Sequence, residues 1–301
     1  MILKDLSQTF LAEICKGLTV SSFKFYNDGM RDVVALLGQR DPVTLTAQDV
    51  RDWIEHELTV NQLKPKTTKA RLQVFARYVR WLIDRKLVPA EKEDIFNKRG
   101  LPRLTIVNPP KHAITEAEHT TILDECRKGK AKPWWMTACL IGWHTGLRLS
   151  DVAQSQWTNV DWTQKVYNES PQKTRRLGKR VSIPLDPELM DWLFALRERP
   201  YYESKFIIPD MAGYYGGESD GCLSRMFRDL TTKARVNPLV TFHSYRHAFV
   251  SRLLNAGIEP IVIASMTGQT VKQIEEYAHI SIGAKQEALQ KAREFMQRQP
   301  I

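Results

Sequence analysis

Four cysteines in 301 residues, Cys15, Cys126, Cys139 and Cys222, are too few and too scattered for a disulfide framework. None forms a CxxC pair, so a zinc ribbon is not expected, and this usage fits a reducing, cytosolic compartment. No run of about 18 apolar residues occurs, so no membrane-spanning helix is expected. The opening Met-Ile-Leu-Lys-Asp-Leu-Ser lacks a basic stretch leading into an apolar one, so no signal peptide is expected. A carboxylate cluster and a His/Cys ligand spacing are both missing, so neither metal nor cofactor is expected. Low-complexity segments and repeats of solenoid period are also absent.

What is present is a core and a charge. Hydrophobic residues make up 43% of the chain, which excludes disorder as the main state. At ~100–200 residues per domain the length suggests two domains. Lys and Arg number 44 against 34 Asp and Glu, a formal net charge of +10. An excess of that size points to a polyanion: nucleic acid first, an anionic membrane surface second.

The first third reads as four helices, over 3–16, 20–37, 47–58 and 66–87, from apolar residues at three- and four-residue spacing. In the second, Phe23, Phe25 or Tyr26, Val33, Val34 and Leu37 form the apolar stripe. Thr46 is a good N-cap for the third. The fourth is the most basic: Lys64, Lys66, Lys69, Arg71, Arg77 and Arg80 are DNA-phosphate contacts in the functional reading and a solvated face in the bland one. Three prolines and a glycine in residues 98–112 interrupt any helix. The expected division is a helical DNA-binding domain over 1–104, a linker over 105–113 and a second domain over 114–301. Both halves carry net positive charge.

The second domain is mixed. Helices are expected over 115–127, 134–146, 148–154, 187–199, 220–235, 243–256, 260–266, 271–278 and 283–297. A strand pair is expected over 157–170 with its turn at 159–162, and a further strand over 180–185. The fold class is therefore mainly α with a small antiparallel β-sheet.

Four pieces of this domain carry chemistry-bearing residues. His144-Thr145-Gly146-Leu147-Arg148-Leu149-Ser150-Asp151 places Asp151 three residues after Arg148, where it can brace the guanidinium. A hairpin, Gln172 to Arg180, carries Lys173 and Lys179. Phe242-His243-Ser244-Tyr245-Arg246-His247 puts His243 and Arg246 on one helix face. Met266-Thr267-Gly268-Gln269 is followed eight residues after Gln269 by Tyr277, in Tyr277-Ala278-His279-Ile280.

Each piece alone is weak; their order and spacing together resemble the tyrosine recombinases, or phage integrase family, in its short, Xer-like two-domain form. The resemblance covers nearly the whole chain and leaves no room for a further N-terminal arm-binding domain. It implies a SAM-like core-binding domain and a catalytic domain in a C-shaped clamp on duplex DNA. It implies cleavage and rejoining of DNA through a 3′-phosphotyrosine on Tyr277, integrating or excising a phage or mobile element. Arg148 and Arg246 would hold the phosphate, His243 would bind it or help deprotonate Tyr277, and a hairpin lysine, Lys173 or else Lys179, would protonate the leaving oxygen. Gln269 departs from the His or Trp usual at its position. His247 is expected to pack beside the site.

The partners implied are double-stranded DNA attachment sites and a homotetramer on synapsed DNA, passing through a Holliday junction. The resemblance also leaves room for an excision factor or host DNA-bending protein, and the implied location is cytoplasmic and nucleoid-associated. The terminal helix 283–297 packs in cis or, by the resemblance, on a neighbouring protomer. Two other classes stay open: a catalytically weakened architectural homologue, and a type IB topoisomerase-like enzyme.

Overall fold

The computed structural model describes residues 2–97, 100–107, 112–129, 131–171, 178, 180–198, 204–214 and 221–277. The chain divides into two compact units, Met1–Pro109 and Pro110–Ile301.

The first unit is helical: α1 (Leu3–Ile14), α2 (Val20–Leu37), α3 (Ala47–Thr59) and α4 (Pro65–Asp84). Thr19 caps α2 by accepting from the Ser22 amide, and Thr46 and Asp49 form a reciprocal capping box at α3. Leu3, Phe10, Val33, Trp53, Phe75, Tyr78 and Leu82 meet in its core. Each such side chain contributes about 1.5–3 kcal/mol by leaving water. The Tyr78 hydroxyl, buried with them, donates to the Leu3 carbonyl at 2.6 Å. The apolar stripe expected on α2 is only partly inward: Phe23 and Phe25 are exposed, 47% and 42%, and Tyr26 is the half-buried member of that turn. The fourth helix is shorter than its periodicity suggested, because Lys86 turns to a φ of 58° just beyond Asp84.

The second unit contains α5 (Glu116–Arg127), α6 (Trp134–Thr145), α7 (Leu149–Ala153), α8 (Pro187–Arg197), α9 (Pro209–Gly213), α10 (Cys222–Lys233), α11 (His243–Asn255), α12 (Pro260–Thr267) and α13 (Val271–Glu275). A three-stranded antiparallel sheet runs β1 (Val160–Asp161), β2 (Val166–Glu169), β3 (Val181–Pro184), with Tyr167 opposite both Val160 and Ile183. Mainly α with a small antiparallel sheet is thus the observed class. The β1–β2 turn lies at 162–165, later than the 159–162 expected. Asp161 Oδ1 accepts from the Thr163 and Gln164 amides at 3.0 and 2.8 Å, the side-chain mimic of a turn. Asn159 instead ties the strand in place, accepting from Gln156 N at 2.7 Å and donating to Asn168 O at 2.6 Å. The terminal helix expected over 283–297 lies outside the described residues.

Helices α6 and α11 form the spine of this unit. Helix α6 is apolar on all sides, so it is buried on all sides, with Trp135 1% exposed against Phe227 and Phe242. His119, from α5, lies flat on Trp143 at 4.3 Å and 9°. No helix among the described residues is long and apolar enough to cross a membrane.

Candidate active site

Two helices of the second unit end in the same way, and the site is built on those ends. Gly146 closes α6 at φ 62° and Gly268 closes α12 at φ 67°, both in the left-handed region that favours glycine. At Gly146 a Cβ would also lie 2.7 Å from Phe249 Cδ1, so the position admits no side chain without movement.

Arg246 reads both ends. Its Nη1 donates to the Gly146 carbonyl at 3.0 Å and its Nη2 to the Thr267 carbonyl. Helix C-termini carry partial negative charge and orphan carbonyls, so a cation there satisfies both. This offsets the burial of a guanidinium that is only 1% exposed. Burial, and next the charge of Arg148, push the Arg246 pKa down to about 10, opposed by Tyr277 and Asp151; the group remains a cation at neutral pH.

The third arm of Arg246 leads to Tyr277. Nε donates to Gln269 Oε1 at 3.0 Å, and Gln269 Nε2 stands 3.5 Å from the Tyr277 hydroxyl. A guanidinium only donates, so the carboxamide must turn its oxygen to Arg246 and its NH₂ to Tyr277. Gln269 is therefore a neutral relay between a buried cation and the phenol. The Tyr277 backbone is tied by its amide to the Ile274 carbonyl at 2.9 Å, and its ring packs beside Val250, Ile263 and Ile274.

Arg148 stands at the N-cap of α7, directly after the Gly146-Leu147 turn. Its Nη1 is 3.7 Å from Asp151 Oδ2, and Asp151 is 1% exposed. The carboxylate holds the guanidinium by charge while leaving it partly open to solvent. His243 opens α11 and is exposed. Arg148 and His243 line a groove of about 880 Å³ with Ser150, Ser224, Arg225 and Arg228. The sequence reading did not single out Arg225 or Arg228, which sit on the amphipathic α10 with no motif around them.

The structure thus brings Arg148, Asp151, His243, Arg246, Gln269 and Tyr277 into one region of the second unit. Lys173 and Lys179 lie outside the described residues. The His247 ring contacts the Tyr277 ring, 4.8 Å between centroids at 41°, and the His243 ring at 4.8 Å and 90°. The recurrence of His at positions 243 and 247, one helical turn apart, was the signal available.

In the first unit the basic residues of α4 separate. Lys64, Lys66, Lys69, Arg77 and Arg80 are exposed. Arg77 donates to the Tyr26 hydroxyl at 2.8 Å and Arg80 to Glu93 at 2.9 Å. Arg71 differs from the phosphate contact it was expected to be: its side chain is 16% exposed, ion-paired with Asp32 and 3.4 Å from the buried Glu57. It lies on the apolar side of α4, where its charge neutralises two interior carboxylates.

A second cluster, His144 with Asp186 and Glu188, was not anticipated. His144 Nδ1 is 3.7 Å from Asp186 and Nε2 is 3.3 Å from Glu188, so each ring nitrogen faces a different carboxylate, while burial lowers the His144 pKa and disfavours the charged ring.

Residues 112–282 match the family model described as Phage integrase family. The chain is 22% identical over 304 residues to the tyrosine recombinase XerD of Rickettsia conorii, covering 94% of this chain and 95% of that protein. Among solved structures it is similar to the integrase of transposon Tn1549 in complex with transposon right end DNA, at TM-score 0.76 and 17% identity over 97% of this chain and all of that one. It is likewise similar to a lambda integrase dimer bound to a core site, at TM-score 0.73 and 14% identity over 92% and 95% of the two chains. At these identities the structural likeness establishes the fold.

Proposed function

Because this chain belongs to the phage integrase family, and is on that ground a tyrosine site-specific recombinase, we propose that Tyr277 is its nucleophile and that Arg148, Arg246 and His243 hold the phosphate it attacks. The observation that carries this is the hydrogen-bonded line from Arg246 through Gln269 to the Tyr277 hydroxyl.

In this reading the Tyr277 oxygen attacks the scissile phosphorus. The bond to the 5′-oxygen breaks, and a 3′-phosphotyrosine and a 5′-hydroxyl result. The ester energy is kept in the protein–phosphate bond, so the strand can be rejoined to a new partner. Charge builds on the non-bridging oxygens in the transition state. Two guanidiniums beside it, one braced by Asp151 and one seated on helix ends, are preorganised to receive that charge. The Gln269 NH₂ can only donate, so it faces the Tyr277 oxygen as a hydrogen-bond donor. The leaving oxygen needs a proton, and Lys173 is assigned that role with Lys179 as the alternative; such help is worth roughly 10²–10⁴-fold.

The substrate proposed is duplex DNA at an attachment site of a phage or mobile element. Support comes from the net charge of +10, from the exposed lysines of α4, and from Arg225 and Arg228 in the groove that leads away from Arg148. A tetramer on two synapsed sites, acting at the nucleoid with or without a DNA-bending protein or excision factor, extends the same reading.

A nicked suicide substrate carrying the site tests it. The wild-type chain should form a covalent adduct that Tyr277→Phe abolishes, followed by strand exchange with a second site. No adduct would favour the architectural reading, and an adduct with relaxation but no exchange would favour the topoisomerase-like one.

A further inference from the structure

Tyr277 must be held in one direction for the reaction proposed. It follows α13, a helix of five residues, too short to be rigid by itself. Its hydroxyl stands 3.5 Å from Gln269 Nε2. A nucleophile must nevertheless be placed to within a fraction of an ångström, and a misplacement of about 1 Å can cost ~10²-fold in rate. What packs against the ring contributes to that orientation.

His247 is placed to supply it. It is 7% exposed, on the rigid spine helix α11, one residue after the guanidinium that anchors the site. Its ring lies against the Tyr277 ring at 4.8 Å and 41°, and the His243 ring meets it edge-on at 4.8 Å and 90°. Val250, one turn further along the same helix, belongs to the apolar cluster beside Tyr277. The phenol therefore packs against an imidazole carried by α11 and an apolar patch drawn from α11, α12 and α13. Through His247, the phosphate-facing His243 and the nucleophile share one wall.

We propose that His247 is a positioning residue for strand cleavage: its ring sets the direction in which Tyr277 points and ties that direction to His243. The role rests on the reading of Tyr277 as nucleophile. It requires an aromatic ring at position 247 and no proton transfer through it.

The test compares His247→Ala and His247→Phe in the full chain, by three measurements. These are affinity for the DNA site, thermal midpoint, and the single-turnover rate of adduct formation on the nicked substrate as a function of pH. His247→Ala should bind DNA as the wild type does and form the adduct at least tenfold more slowly. His247→Phe should return to within about threefold of the wild-type rate with an unchanged pH profile. The proposal is overturned if His247→Ala cleaves at the wild-type rate, or if its loss matches its loss of folded protein. It is overturned equally if His247→Phe is as slow as His247→Ala, or if its profile loses a limb in the imidazole range, since either result assigns the ring a polar or proton-carrying task. A wild-type chain with no adduct dependent on Tyr277 would instead remove the reading beneath it.

Discussion

Gln269 presents its carboxamide nitrogen to the Tyr277 hydroxyl at 3.5 Å while its oxygen is held by Arg246 at 3.0 Å. The position that the family usually fills with His or Trp is here a donor to the proposed nucleophile, oriented by a buried cation.

That orientation ranks the variants. Gln269→Ala removes the donor and leaves Arg246 Nε without its acceptor, and adduct formation should fall roughly 10²-fold, in line with the loss of one oriented transition-state donor. Gln269→Glu should be worse, since a carboxylate beside the phenol opposes phenolate formation and competes with phosphate for Arg246. Gln269→His should retain at least the wild-type rate. Single-turnover cleavage of the nicked substrate measures all three, and a Gln269→Glu variant faster than Gln269→Ala would contradict the assigned orientation.

Gly146→Ala should damage stability and activity together. The substitution places a Cβ at positive φ and 2.7 Å from Phe249 Cδ1, and it displaces the carbonyl that seats Arg246. A loss of roughly 2 kcal/mol or more is expected from the left-handed conformation plus the overpacking. Urea denaturation reads the first effect and adduct formation the second.

Arg71 and the lysines of its helix should separate cleanly. Arg71→Ala removes one cation from Asp32, which Arg31 also pairs at 3.2 Å, and from Glu57, which also accepts from Asn61 at 2.7 Å, and should cost about 1.5–3 kcal/mol, the usual worth of a hydrogen bond to a charged group. The salt dependence of DNA binding should not change. Lys64→Ala and Lys69→Ala should each leave stability within ~0.5 kcal/mol and lower the slope of log affinity against log salt by about one. Binding titrations at several salt concentrations, beside denaturation curves, distinguish the two behaviours.

The protein should lose stability in mild acid through His119. Burial, then the neighbouring charges of His144 and Arg252, push its pKa down to about 3, against 6.5 for the free group. The unfolded chain therefore binds a proton on His119 that the folded chain refuses. That component of stability is intact above pH 6.5 and is lost progressively as pH falls toward 3, roughly 2 kcal/mol between pH 7 and pH 4.5. His119→Gln should start lower at pH 7, having lost the stack on Trp143, but show a flatter decline. Denaturant midpoints at pH 7 and pH 4.5 in both proteins provide the comparison.

Periodicity and spacing already placed the described helices of both units except α9, whose five residues are too few to show a stripe, because an amphipathic stripe is a local property of a sequence. The resemblance, carried by the order of Arg148, His243, Arg246, Gln269 and Tyr277, likewise needed no coordinates. The β1–β2 turn was misplaced because Asn159 and Asp161 are both turn formers, and pairing with β2 decides which of them turns. Arg71 was misread for a related reason: a basic residue on an apolar stripe looks like its basic neighbours until two carboxylates from α2 and α3 are seen beneath it. Arg225 and Arg228 carry no motif, and only the groove they share with Arg148 and His243 connects them to the site.

By itself the sequence determined the fold class, the charge that a polyanionic partner would need and the list of candidate reacting groups, since charge, period and motif order are read along one dimension. Tertiary structure alone decided what neutralises Arg246, which end of Gln269 faces Tyr277, and that His247 stands between His243 and the nucleophile. Those relations join residues 21 to 100 positions apart or set the direction of a ring, and burial makes each one strong.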